Sequence, residues 1–234
     1  MDNFSNSGRR QVQDVTAVNR FLSKMYGIMT IAVLVSALTA FITMTFFRSA
    51  VMHMSGVMMW IVFLVPLFLC MGISFKAAKN PTLGFILLMI LSIVYGFEFA
   101  LIAGFYTGAQ IATAFVSAAG IFIAMAAFGT FTKRDLSNWG SYLGAALIGF
   151  FVAWIVNFFL KNPWVTYIFS FIGVIIFTGF IAYDAHKAKQ IYNEFGGEVS
   201  ENGLAIMGAL NLYLDFINVF IYLLEIFGFS SDNR

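Results

Sequence analysis

The chain is short of charge: Asp, Glu, Lys and Arg make up 10% of its 234 residues, against about 25% in soluble domains. With 61% hydrophobic residues and a mean hydropathy of +0.88, that deficit excludes a water-soluble globule. The single cysteine, Cys70, lies in an apolar run, which excludes an internal disulfide or thiolate metal set and reads as a small core residue. Prolines are equally scarce. Of Pro66, Pro81 and Pro163 only Pro66 falls inside an apolar run, where it predicts a local kink, and no pair of broken helices of the inverted-repeat transporter type is marked. The net charge is +2 and no basic cluster points to nucleic acid. The start lacks the short apolar core and cleavage site of a signal peptide. Residues 1–25, with Asp2, Arg9, Arg10, Asp14, Arg20 and Lys24, therefore read as a polar cytoplasmic tail kept in the mature protein.

What the chain has in abundance is long apolar runs. Seven are long enough to cross a bilayer: Tyr26–Phe47, Val57–Phe75, Thr82–Tyr106, Ile111–Phe131, Trp139–Leu160, Trp164–Tyr183 and Leu204–Phe227. This predicts an all-α membrane protein with one seven-helix domain over 26–228 and a short tail at 229–234. Lys161-Asn162-Pro163 and Thr107 to Gln110 form tight joints, and Trp139, Trp154, Trp164, Tyr26 and Tyr106 lie near predicted span ends as an interfacial belt. Gly104 with Gly108, and Gly140 with Gly144, have the spacing of close helix contacts. Basic residues fall unevenly across the seven spans. One side takes Arg9, Arg10, Arg20, Lys24, Lys76, Lys79, Lys133, Arg134, Lys187 and Lys189, the other only Arg48, Lys161 and Arg234, which predicts a cytoplasmic amino terminus and an outside carboxyl terminus.

No Lys or Arg lies within the seven runs, yet acids do. Asn211, Asp215, Asn218, Tyr222 and Glu225 in the last run share an arc of about 80° on one helix face. An acid at the centre of a span costs about 2.5–3.5 kcal/mol on insertion scales, so this face looks on protein or water rather than lipid. A helix surrounded by protein can carry such a face, which favours a central place for the last span. Glu225 near the outer end either lines the path or simply reaches water. Glu98, about 24 Å into the third span, either lines an external vestibule or stays neutral against a hydroxyl.

Asp184 closes the sixth span and Asp215 lies in the seventh, so both approach the cytoplasmic half. Should they touch, the two carboxyls would share one proton and titrate as a unit. Its loss would drive the helices apart or recruit a cation. Lys76, at the cytoplasmic end of the second span, is either a partner for the ionised pair or a boundary residue whose stem snorkels. His53 and His186, near water boundaries on opposite sides, read as solvated and share no metal site.

Gly208-Ala-Leu-Asn-Leu-Tyr-Leu-Asp215-Phe-Ile-Asn218, Ala182-Tyr183-Asp184 and Thr132-Lys133-Arg134-Asp135-Leu136 together resemble the transmembrane Bax inhibitor motif family, in particular its bacterial members. The resemblance covers nearly the whole chain. It implies six helices surrounding a central C-terminal helix, in the cell inner membrane. It further implies a pH-sensitive calcium leak that acid opens, with Asp184 and Asp215 as the sensor and gate, transient ligands for the passing calcium ion, and Lys76 or Lys79 as a latch. Asn211, Asn218, Tyr222, Glu225 and Glu98 are the pore-lining candidates. The partners expected are the lipid bilayer, calcium ions, protons and a further membrane protein; no cofactor and no enzymatic activity are expected. Two other readings stand beside the leak: a regulator that binds a membrane protease or another membrane partner, and an intramembrane aspartyl protease. The second has Tyr183-Asp184 but lacks Gly-x-Gly-Asp at Asp215 and any downstream Pro-Ala-Leu element.

Overall fold

A bilayer offers no water to unpaired backbone groups, so apolar runs of this length resolve as helices. The structure is a computed structural model that describes residues 15–47, 49 and 53–232. Asp2, Arg9, Arg10, Asp14, Arg48 and Arg234 lie outside the described residues. Seven helices are long and apolar enough to cross a membrane: α1 Val15–Phe46, α2 Gly56–Lys76, α3 Pro81–Ala103, α4 Gly108–Phe131, α5 Trp139–Leu160, α6 Pro163–Phe195 and α7 Glu201–Asp232.

Polar residues in the joints set where several of the helices begin. The Ser55 and Asn80 side chains accept from the backbone N–H of Met58 and Leu83. Thr107 and Gln110 close a reciprocal capping box on α4, and Asn162 caps α6 just before Pro163. Both tight joints read from the sequence are thus built from caps. α2 runs unbroken through Pro66.

Three helices extend beyond the apolar runs. α1 starts at Val15, α6 reaches Phe195, and α7 spans Glu201 to Asp232. Residues 15–25 are therefore helix rather than tail, and 229–232 continue α7. A hydropathy window misses these extensions because their outer faces are polar while their inner faces pack: Phe21 stacks on Tyr192 at 4.2 Å, Arg20 lies 3.8 Å from Glu201, and Lys24 bonds Asn202. At 32 and 33 residues α1 and α6 reach about 48 Å, well past a hydrocarbon core of about 30 Å. Tyr26 consequently sits well inside α1, its hydroxyl 2.6 Å from Thr130 Oγ1, and is an interhelical contact rather than part of an interfacial belt.

α7 is the most enclosed span. Of its most apolar window 72% is buried, against 11–33% in the other six. It packs on α1, α2, α3, α4 and α6, and meets α5 where the rings of Phe150 and Tyr222 lie 5.6 Å apart. α2 and α5 are the least buried and expose Trp60, Phe68, Phe151 and Phe159, as lipid-facing helices should.

Candidate functional site

Small residues bring α4, α6 and α7 together. Ala182, Ala185 and Ala188 on α6 are buried, as are Ala205 and Ala209 on α7. At Gly129 of α4 a Cβ would fall well inside contact distance of the Ala182 carbonyl, and at Gly208 of α7 it would strike Met25. Such approach needs residues without bulk. It also carries Asp184 and Asp215 inward on facing sides of α6 and α7.

The two carboxyls lie within hydrogen-bonding reach of one another. Asp215 is 6% exposed, and its Oδ2 is buried with no hydrogen-bond partner. Lys187 is the cation whose charge acts on Asp184; its ammonium lies 5.3 Å from the Tyr183 ring centre. Lys76 and Lys79 stand exposed at and just beyond the end of α2, and neither bonds to Asp184 or Asp215. Among the described residues no group of three His, Cys, Asp or Glu side chains gathers. An ion at the aspartate pair would need amide, carbonyl or water oxygens to complete its shell.

The rest of the stripe divides. Asn211 is exposed, while Asn218 turns its Nδ2 back to the Leu214 carbonyl at 2.7 Å. Tyr222 packs against Gly173, Phe150 and Phe177, and Glu225 accepts from Ser170 Oγ at 2.6 Å. Three cavities follow this part of the stripe. The first, about 730 Å³, is lined by Tyr106, Gln110, Lys161, Thr166, Ser170 and Glu225. The second, about 300 Å³, adds Asn157, Trp154 and Tyr222, and the third, about 500 Å³, reaches Asn218 and Phe177. None of the three includes Asp184 or Asp215.

Glu98 does not join the stripe. It is 6% exposed on α3, and its electrostatic neighbours are Tyr95 and Tyr213, the latter on the opposite face of α7 from Asp215. Tyr213 in turn bonds Ser36 at 2.6 Å, and Ser36 donates to the Ser92 carbonyl at 2.9 Å. His186 is not solvated: Nδ1 meets the Gly129 carbonyl at 3.2 Å and Nε2 is buried without a partner. Lys189 donates to the Thr130 carbonyl at 2.9 Å, so α6 supplies two side chains to the carboxyl end of α4. Asn157 and Ser170 escaped the sequence reading. An isolated amide and hydroxyl in otherwise apolar spans were the available signal, because such groups need partners in lipid.

Known proteins resemble this chain over nearly all of its length. The family model described as "Inhibitor of apoptosis-promoting Bax1" matches residues 18–232. The Lactococcus lactis protein YrjE is 38% identical across 93% of this chain and 94% of its own length. The Escherichia coli inner membrane protein YbhL is 37% identical across 97% of this chain and 99% of its own. A membrane protein of Streptococcus pyogenes is 35% identical across 92% and 95%.

Proposed function

The chain belongs to the Bax inhibitor-like family of membrane proteins, and from that premise we propose that it is a pH-sensitive calcium leak whose gate is the Asp184–Asp215 pair. The observation that carries this reading is the meeting of two carboxyls from neighbouring transmembrane helices inside the bundle. Two such groups in contact cannot both ionise comfortably, so a single proton bridges α6 and α7. Removing it leaves two like charges that either separate the helices or accept a hard divalent cation in the proton's place. Occupancy of the pair thus controls how α6 sits against α7. The polar stripe from Asn218 to Glu225, with its cavities, supports a route from the far face toward the pair.

Basic residues Arg20, Lys24, Lys76, Lys79, Lys133, Arg134, Lys187 and Lys189 favour placing the amino-terminal end of the bundle in the cytoplasm and Asp232 outside. The inner membrane is the compartment the likeness to YbhL suggests. Lys76 or Lys79 at the end of α2 is the proposed latch, and Lys187, one turn along α6, is a further cation beside Asp184.

The test is calcium flux into liposomes that hold the purified full chain. Flux should change several-fold between about pH 6 and 8, and Asp215→Asn and Asp184→Asn should each flatten that profile. Flux no greater than in empty vesicles removes the leak. An unchanged pH profile in both variants moves the sensor elsewhere.

A further inference from the structure

At the far end of α7 from the aspartate pair, we propose a second cation site, built from Glu225, Ser170, Thr166 and Asn157, that takes a partly hydrated divalent ion of the calcium type. Two cavities meet there and share Lys161, Thr166 and Glu225 in their walls.

Several polar groups at this junction offer oxygen, set among aromatic rings and beside Lys161. Asn157 is 8% exposed and lines the smaller cavity. Its Nδ2 is spent on Thr166 Oγ1 at 2.8 Å, and its Oδ1 is buried without any donor. Thr166 in turn gives its hydroxyl hydrogen to the Asn162 carbonyl at 3.3 Å, so it has none to offer that Oδ1. Ser170 has one hydrogen for two acceptors, the Thr166 carbonyl at 2.9 Å and Glu225 Oε2 at 2.6 Å. With Glu225 ionised the hydrogen goes to the carboxylate and fixes its orientation. Tyr106, from the joint between α3 and α4, lines the larger cavity, and burial together with the charge of Glu225 pushes its phenol up from the ordinary value. A carboxylate, an orphaned amide oxygen and hydroxyl oxygens around water-sized space are the ligand set of a hard cation.

Lys161 gives the site its weakness. Among the described residues it is the one non-glycine with positive φ, 50°, the backbone conformation that closes the turn between α5 and α6 and that a side chain with a Cβ disfavours. Its ammonium competes with an incoming cation for the one carboxylate. A single carboxylate opposed by a lysine holds an ion loosely, as a station on a permeation route must. As the mouth of the leak this site would rest on the function proposed above. The binding itself does not, and the two fail separately.

The probe is terbium(III), added to the full chain in detergent micelles. Trp154 and Tyr222 line the smaller cavity and serve as antennae for its emission. Sensitised emission should appear, fall on addition of excess calcium, and require a roughly ten-fold higher terbium concentration in Glu225→Gln. Asn157→Leu should weaken binding in the same direction. Lys161→Gln should tighten it, a gain that misfolding cannot imitate. The shifts with Glu225→Gln and Lys161→Gln should persist in an Asp215→Asn background, which removes terbium held at the aspartate pair. An unaltered midpoint in both Glu225→Gln and Lys161→Gln overturns the site, as does emission lost in Asp215→Asn but kept in Glu225→Gln.

Discussion

Asp215 and Glu225 occupy one face of one helix, yet their surroundings are opposite. On the cytoplasmic side of Asp215 small residues let the helices close in, Gly208 against the Met25 side chain and Gly129 of α4 against the Ala182 carbonyl of α6. Asp215 Oδ2 is buried without a hydrogen-bond partner. Around Glu225 the spacers are rings: Tyr222 lies against Phe150 and Phe177, and Phe229 stacks on Tyr167 at 4.4 Å. Rings hold the helices apart, and cavities of about 300 and 730 Å³ remain between them. Asp215 itself is sealed among small residues, while cavities lie open around Glu225 among large rings.

The sharpest way to break the contrast is to add bulk at both kinds of glycine. Gly129→Val should destabilise the fold by about 1–3 kcal/mol or more, since its branches meet the α6 backbone and cannot relax. Gly144→Ala on α5, where nothing lies within 4 Å, should instead gain up to about 1 kcal/mol from helix propensity. Thermal unfolding in micelles measures both. Equal tolerance at the two positions would mean that the sealed end is not tightly packed.

A smaller effect concerns access. In a Cys70→Ser background, Glu225→Cys should react with a charged thiol reagent roughly ten-fold or more faster than Asp215→Cys, because only an exposed thiolate reacts. Equal rates would erase the distinction between the sealed and open ends.

The smallest effect belongs to Asp135, an acid outside the bundle in the joint between α4 and α5. The hydroxyl and backbone N–H of Ser137, at 2.6 and 2.9 Å, hold its carboxyl below the ordinary value of 3.8. A carboxylate lowered by folding contributes stability that is present above the unfolded value and lost as pH falls through the folded one. Ser137→Ala should therefore raise the Asp135 titration toward 3.8 in a carbon-detected NMR experiment and leave calcium flux near neutral pH unchanged. A titration that stays put would assign the shift to other neighbours.

The seven helices, their order and the enclosed position of the last one were legible in the sequence. Hydropathy and an 80° polar face are both properties of a single helix, about 80° wide whatever its neighbours do. The aspartates were legible as candidates for the same reason: an acid in an apolar run stands out. What the sequence could not give was pairing between helices. Glu98 on α3 has Tyr213 of α7 as a neighbour instead of the stripe, and His186 of α6 meets the Gly129 carbonyl of α4. Composition and periodicity fixed which residues must avoid lipid, because transfer free energy attaches to each side chain alone. Only the packed fold decided which of them meet, because the rotation and depth of each helix follow from contacts such as Gly129 on Ala182 and Phe21 on Tyr192, which link residues far apart in the chain.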